Sequence, residues 1–309
     1  MNSHSGGVFM SAAWRLQYWL GRGGQYATLL LPEALALGMG RVLSGLLWSV
    51  MRKRGAIAKK EATRVLGRRG KDVAEGSFYH LMETIIRTVR IPRDRARGSW
   101  DKRIEVEGLD RLERARAMGR GVIAVSGHFG DWEVFNVAMA ARGYNVNVVR
   151  RAMDNPLMNR GFEDFWKQVG TRVIWRAGAM KEGLQALRDG GVLTLYVDQD
   201  ARHHGVFVPF LGQDASTIKA PALLSIKSGA PIVGFAVTRL PGGRSLIQIE
   251  EPFVPDGTLP MPEAVLEATR RLTEALEKRI LAAPEQWMWI HRRWKTKPGE
   301  AVASDGATA

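Results

Sequence analysis

Hydrophobic and polar positions follow two different textures along the chain, with the change near residue 104. Residues 26–51 are mostly apolar, broken by Glu33 and Arg41. Projected at 100° per residue from Glu33, Arg41, Ser44 and Ser49 fall at about 80°, 20° and 160°, within one half of the surface, so the pattern predicts an apolar helix over 33–51 with a narrow polar side. Stretches 56–68 and 72–90 read as helices with basic faces, ending near Pro92 because proline disfavours a helical residue before it. From about Ile104 short runs of Val, Ile and Leu alternate with amphipathic stretches. Strands are predicted at 121–126, 145–150, 172–175, 192–197 and 231–238, with 245–250 as a further candidate. Helices are predicted at 132–142, 157–168, 179–188 and 216–228, and a long one closes the chain at 262–281. Strands alternating with helices of this length imply an α/β fold, a mostly parallel central sheet flanked by helices, behind a helical N-terminal region. The expected organisation is a basic, helical, membrane-associating region (1–97), an α/β domain (98–297) and a small polar, disordered tail (298–309).

Composition sharpens this picture. The 309 residues allow one large domain or two ordinary ones, and 45% hydrophobic with 25% charged residues is a globular balance. The absence of cysteine removes disulfides, thiolate catalysis and Cys-ligated zinc. The net charge of +14 is uneven: residues 1–97 hold 17 Lys and Arg against 6 Asp and Glu, which is +11 of the total. Such a field favours a polyanion, either nucleic acid or an anionic membrane face. Neighbouring residues favour the membrane. Trp14, Tyr18 and Trp19 are types that prefer the bilayer–water boundary, and Arg52-Lys53-Arg54 and Lys59-Lys60 directly follow the apolar helix. A buried core helix over 33–51 is the plainer reading of the same stretch, and Pro32, Glu33 and Arg41 favour a helix lying in the interface over one that spans. No nucleic-acid recognition motif accompanies the charge.

Common catalytic signatures are missing: there is no G-x-S-x-G elbow, no P-loop, no G-x-G-x-x-G and no H-E-x-x-H. The run Ser126-Gly127-His128-Phe129-Gly130-Asp131-Trp132-Glu133 stands out, because it follows an apolar strand and opens a helix. His128 should then sit in the turn at the strand's C-terminal end. Glu133 should lie in the first helical turn, where the dipole favours a carboxylate, and could reach back to His128. A carboxylate on one ring nitrogen fixes the tautomer and strengthens the other nitrogen as a base. On the plainer view His128 and Asp131 cap and turn the chain while Glu133 is solvated. Arg150-Arg151 and Asp198-Gln199-Asp200 end two neighbouring strands, and ligands of open α/β sheets bind beyond such ends.

These residues carry a family resemblance. His128 to Glu133 resembles the H-x-x-x-x-E signature of the bacterial lipid A late acyltransferases of lauroyl and myristoyl type, in the lysophospholipid acyltransferase superfamily. Arg151 before Asp154-Asn155-Pro156, the Asp198-Gln199-Asp200 element, Phe207-Val208-Pro209-Phe210-Leu211-Gly212 with Thr217, and Ser228-Gly229-Ala230-Pro231 also match in order. So does Pro284-Glu285-Gln286-Trp287-Met288-Trp289 running into His291-Arg292-Arg293-Trp294-Lys295. The likeness spans roughly residues 30–297, while His203-His204 matches nothing in it. It implies an inner-membrane enzyme, on the cytoplasmic face, of lipid A and lipopolysaccharide biosynthesis. Such an enzyme moves a fatty acyl chain from a thioester on acyl carrier protein or CoA to a hydroxyl of a lipid or glycolipid. It also implies a catalytic dyad of His128 and Glu133, with Arg151, Asp198 and Asp131 in the substrate-binding or oxyanion set.

The chemistry agrees without the likeness. A lipid hydroxyl is too weakly acidic to attack a thioester unaided, and a neutral imidazole can take its proton. The oxyanion needs fixed donors, for which Arg151 or a backbone N–H near His128 could serve. A thiol leaves readily, so the acyl thioester is a co-substrate and neither a cofactor nor a metal is expected. The basic N-terminal third could hold anionic lipid or dock an acidic carrier protein. Arg292-Arg293, Lys295 and Lys297 among Trp287, Trp289 and Trp294 read better as cation–aromatic packing. Two alternatives use the residues differently: a metal-dependent glycosyltransferase would hold its ion with Asp198 and Asp200, and a non-catalytic membrane scaffold would leave His128 idle.

Overall fold

In the computed structural model, which describes residues 12–299, four helices precede the sheet: α1 (Ala12–Leu30), α2 (Glu33–Val50), α3 (Arg52–Leu66) and α4 (Gly70–Ala96). Then follow β1 (Ile104–Glu107), α5 (Leu109–Ala117), β2 (Val122–Ser126), α6 (Glu133–Ala141), β3 (Val146–Arg150), α7 (Pro156–Gln168), β4 (Thr171–Trp175), α8 (Ala179–Arg188) and β5 (Val192–Tyr196). The chain continues through β6 (Val206–Phe210), β7 (Gln213–Thr217), α9 (Ala220–Ser228), β8 (Ile232–Arg239), β9 (Ser245–Ile249) and α10 (Met261–Ala282). The alternation after Ile104 thus builds the expected α/β fold, a mostly parallel sheet of order β1-β9-β8-β2-β5-β3-β4 in which β8 and β9 alone run antiparallel. Every residue of β2 is buried, as a central parallel strand covered on both faces should be. Val122 and Ala124 pack toward α6, where Phe135 stacks on Phe235 at 3.8 Å, while Ile123 and Val125 pack with Leu224 and Leu272 on the opposite face.

Two sequence expectations need correction. Residues 216–217 are strand, and the helix predicted from 216 begins at Ala220. The residues before it pair antiparallel with β6 as a hairpin. Its two-residue turn is Leu211-Gly212, both at positive φ (50° and 78°), the backbone of a type I′ turn without the usual Asn-Gly. Leu211 is held in this unfavourable region because its N–H donates to Glu277 (2.8 Å) and its carbonyl accepts from Arg64 (2.8 Å). Nor does Pro92 end its helix. α4 continues to Ala96, with the neighbouring Arg90 and Ile91 both buried, so tertiary packing outweighs the local cost of the ring. The tail expectation for 300–309 falls outside the described residues.

α2 forms as expected and packs through one narrow face. Its buried residues are Ala36, Gly40 and Ser44, the small and polar face. Leu35, Val42, Leu43, Leu46 and Val50 are exposed. A Cβ on Gly40 would come within 2.3 Å of Ile86 Cδ1, so the glycine lets α2 lie close against α4. Of the polar stripe only Ser44 is buried and Glu33 half-buried, while Arg41 and Ser49 are exposed together with most of the leucines. No single helix among the described residues is long and apolar enough to cross a membrane; α2 with the following helical stretch qualifies only as a pair bent by 94°.

A chain of charges ties the helices to the sheet. Arg239 on β8 donates to Asp131, also through Nε at 3.0 Å, and pairs with Glu83 at 2.8 Å. Arg87 joins Glu83 to Glu33, and Arg103 reaches Glu33 at 2.7 Å. Thr84 and Ser245 complete the shell around Asp131 and Arg239. His80 sits against Arg239, and burial with that guanidinium's charge pushes its imidazole down to about 3, so it stays neutral. Removing Arg239 strands the buried Asp131 carboxylate and leaves Glu83 with Arg87 alone. We expect Arg239→Met to lower unfolding free energy by about 3–5 kcal/mol, read from urea midpoints, with Arg244→Met, at an exposed pair, within about 1 kcal/mol of wild type.

Candidate active site

β2, β3, β4 and β5 run parallel, so the residues following them gather at one edge of the sheet. His128 follows β2, Arg150 ends β3, Arg176 follows β4, and Asp198 lies two residues beyond β5. Two glycines set the His128 turn. Gly130 has φ of 60°, and a Cβ there would fall 1.7 Å from the Val237 carbonyl oxygen. Gly127 leaves room for Asp198, whose Cβ would lie 3.1 Å from an added methyl. The turn is strapped by the segment after α10. Gly130 N donates to Gln286 O (2.8 Å) and Met288 N to His128 O (3.2 Å), while the Gln286 side chain bonds Arg239 N and O.

Asp198 is buried and accepts three hydrogen bonds. His128 N and Trp287 Nε1 donate to Oδ2 at 2.8 and 2.9 Å, and His128 Nδ1 lies 2.8 Å from Oδ1. Facing a carboxylate, Nδ1 carries its proton, which leaves the lone pair on Nε2. Burial would lower the His128 pKa, but the charge and hydrogen bond of Asp198, helped by Glu133, prevail and raise it above its ordinary value. Burial would raise the Asp198 carboxyl, and His128 in turn holds it below the usual carboxylate range. Trp132, Tyr196 and His291 wall the imidazole, with ring centroids 5.3, 5.1 and 5.6 Å away. Burial, together with the charges of His128 and Arg54, pushes His291 down to about 4.

The expected contact between Glu133 and His128 is not made. Glu133 sits in the first turn of α6 as anticipated, but its carboxylate takes a bidentate bond from Arg150 (2.8 and 2.5 Å) and one from Asn136 (3.3 Å). Arg150 stacks in turn over Trp166 at 4.3 Å. The acid expected from the local pattern is thus engaged elsewhere, and an acid 70 residues on meets His128. Asp131 points away from His128 into the buried Arg239 network, which removes it from a substrate-facing role. Arg151 lines the cavity beside His128 with an exposed side chain, 3.8 Å from Asp154. The backbone N–H groups of residues 128–131 are all engaged, by Asp198, Gly127 O, Gln286 O and Val237 O, so none is free for an oxyanion. Asp198 and Asp200 do not form an ion-binding pair: Asp198 is saturated, and Asp200 accepts from Thr296 (2.9 Å). No group of three His, Asp or Glu side chains among the described residues is placed to ligate an ion.

Trp287, Tyr196, His291 and Gln199 belong to the site and were not singled out as such from sequence. Trp287 sat in a recognised motif, but only its distant contact with Asp198 gives it a function. The packing reading of the C-terminal cluster holds for Arg293, buried against Ser216 O and Thr217 with its guanidinium 5.1 Å from the Phe210 ring. His128, Arg150, Arg151, Tyr196 and Gln199 open onto a cavity of about 550 Å³, whose other walls include Leu195, Leu223 and Leu224. A base with a free lone pair at the end of a largely apolar cavity can take a proton from an alcohol held beside a greasy chain.

The chain is similar to known proteins over most of its length. The family model described as bacterial lipid A biosynthesis acyltransferase matches residues 9–296. The lipid A biosynthesis lauroyltransferase of Escherichia coli (strain K12) is 29% identical over 93% of both chains, and the palmitoleoyltransferase of the same organism is 28% identical over 91% of both. A phosphatidylinositol mannoside acyltransferase of Mycobacterium tuberculosis (strain ATCC 25618 / H37Rv) is 25% identical over 41% of this chain and 42% of its own.

Proposed function

From the chain's membership of the bacterial lipid A biosynthesis acyltransferase family, and hence its being an O-acyltransferase, we propose that it transfers a fatty acyl chain from an acyl thioester to a hydroxyl of a lipid or glycolipid, with His128 as base and Asp198 as its orienting partner. The observation that carries this is the 2.8 Å contact between His128 Nδ1 and Asp198. The hydroxyl gives its proton to Nε2 as its oxygen attacks the thioester carbon. A C–O bond forms, and the carbonyl electrons move onto oxygen. Arg151, the cavity-lining cation near His128 that is not bound by Glu133, stabilises that oxyanion. On collapse the C–S bond breaks and the imidazolium returns the proton to the departing sulfur. Glu133 acts at one remove: it fixes Arg150 at the cavity wall and adds negative charge behind His128.

The same proposal places the protein on a membrane, at the cytoplasmic face of the inner membrane. Its support is the outward row of Leu35, Val42, Leu46 and Val50, which runs directly into exposed Arg52, Lys53 and Arg54. Apolar side chains can enter the interface while basic ones meet anionic headgroups. Arg54 also donates to Ile290 O (3.3 Å), beside His291, so the basic helix borders the catalytic residues. That position suits delivery of a thioester by CoA or by an acidic carrier protein.

Because the base must be neutral, activity falls as pH drops through the His128 pKa, and its raised value puts this acid limb above about pH 6.5. We expect His128→Ala and Asp198→Asn each to lower acyl transfer roughly 100-fold or more, with the limb of Asp198→Asn displaced to lower pH. Initial-rate pH profiles check both, and an unmoved limb in Asp198→Asn would refute the partnership. Glu133→Gln should displace the limb in the same direction by less. For attachment, flotation with phosphatidylglycerol vesicles should recover wild-type protein and lose most of a Val42→Glu/Leu46→Glu variant. Equal recovery would place the contact elsewhere.

A further inference from the structure

The cavity that receives His128 is lined by four basic side chains, Arg150, Arg151, Arg176 and Lys219, and by no carboxylate. Arg150 is neutralised by Glu133, and Arg151 serves the reacting carbonyl in the mechanism above. Arg176 and Lys219 have no hydrogen-bond or ion-pair partner among the described residues, although Lys219 is half-buried. Arg176 is exposed and Lys219 half-buried, so both can meet an anion that enters this largely apolar cavity.

Their place in the fold adds to the field. Arg176 directly precedes the turn into α8, whose first residues Ala179 and Met180 also line the cavity. Lys219 directly precedes α9, whose first residue Ala220 lines it too. Two helices of 10 and 9 residues therefore begin at the cavity, each with the positive end of its dipole there. His204, outside the family likeness, reaches the same rim. A guanidinium fork, a point-charge ammonium and two helix N-termini match the several acceptor oxygens of a phosphate better than one carboxylate.

We infer that Arg176 and Lys219, with His204 beside them, form a subsite for a phosphate ester carried by one of the two substrates whose acyl chain or acceptor hydroxyl reaches His128. The inference rests on the acyl-transfer reading of the same cavity. The phosphate could belong to the arm of the thioester donor or to the lipid acceptor, and the two share the chemistry recognised here.

Binding can be read without turnover. Calorimetric titration with decyl phosphate, and with uncharged decyl maltoside as the matched probe, should show tighter binding of the phosphate to wild-type protein. An Arg176→Gln/Lys219→Gln variant should lose that advantage by roughly tenfold or more. Equal loss for both probes, or no loss for either, would overturn the subsite. Should decyl phosphate bind as expected while no thioester and lipid pair reacts, the acyl-transfer reading fails and the subsite stands. Turnover then assigns the source. One arm compares a CoA thioester with the phosphate-free N-acetylcysteamine thioester, and the other compares a phosphorylated lipid acceptor with its phosphatase-treated form. The double variant should shrink the preference for phosphate in one arm, chiefly through KM. An active enzyme whose preference is unmoved in both arms would overturn the proposal.

Discussion

One buried carboxylate organises the catalytic edge. Asp198 has no Lys or Arg hydrogen-bond partner among the described residues; its charge is met by a backbone N–H, an indole N–H and an imidazole N–H. A buried anion is tolerable only when its hydrogen bonds are complete, so it recruits donors from segments far apart in sequence. His128 comes from the turn after β2 and Trp287 from the strap after α10. Satisfying the charge therefore brings those segments together, and the imidazole acquires its tautomer, its orientation and its raised basicity from the same contact.

The turn from His128 to Glu133 distributes three charged side chains in three directions. His128 faces Asp198 and the cavity, Asp131 enters the Arg239 network, and Glu133 clamps Arg150. Gly130, at positive φ and hard against the Val237 carbonyl, is what lets neighbouring residues diverge so sharply. Stability and chemistry are thereby assigned to adjacent positions. Asp131 joins the helical region to the sheet while His128, three residues earlier, opens onto the cavity.

Much of the α/β body was legible because its strands are short apolar runs with unambiguous breaks, as at Val122–Ser126 and Val192–Tyr196. The β6–β7 hairpin was not, since its I′ turn uses Leu211, a residue that tolerates positive φ only through Glu277 and Arg64. The site was half legible for a similar reason. His128 and the strand-end charges follow from local pattern, and Asp198 was seen at the right edge of the sheet. Which acid meets His128 is decided by side-chain direction across two strands, and sequence proximity pointed to Glu133. Spacing five residues along a turn and helix start says little when Arg150 competes for the same carboxylate and binds it through both oxygens.

The orientation of α2 follows from the same competition between local pattern and tertiary contact. On an isolated amphipathic helix the polar side faces water, yet here the small face carrying Gly40 and Ser44 is the one that fits closely against α4. Glu33, the one acid of α2, is drawn inward by Arg87 and Arg103. With Ala36, Gly40, Ser44 and Glu33 turned to α4 and its neighbours, most of the leucines are left outside with Arg41, next to a helix whose exposed start is Arg52, Lys53 and Arg54. An outward apolar row of this extent is stable only if another apolar phase covers it. On the proposed reading that phase is lipid, and the ion network from Asp131 to Glu33 then joins the lipid-facing helix to the turn that carries His128.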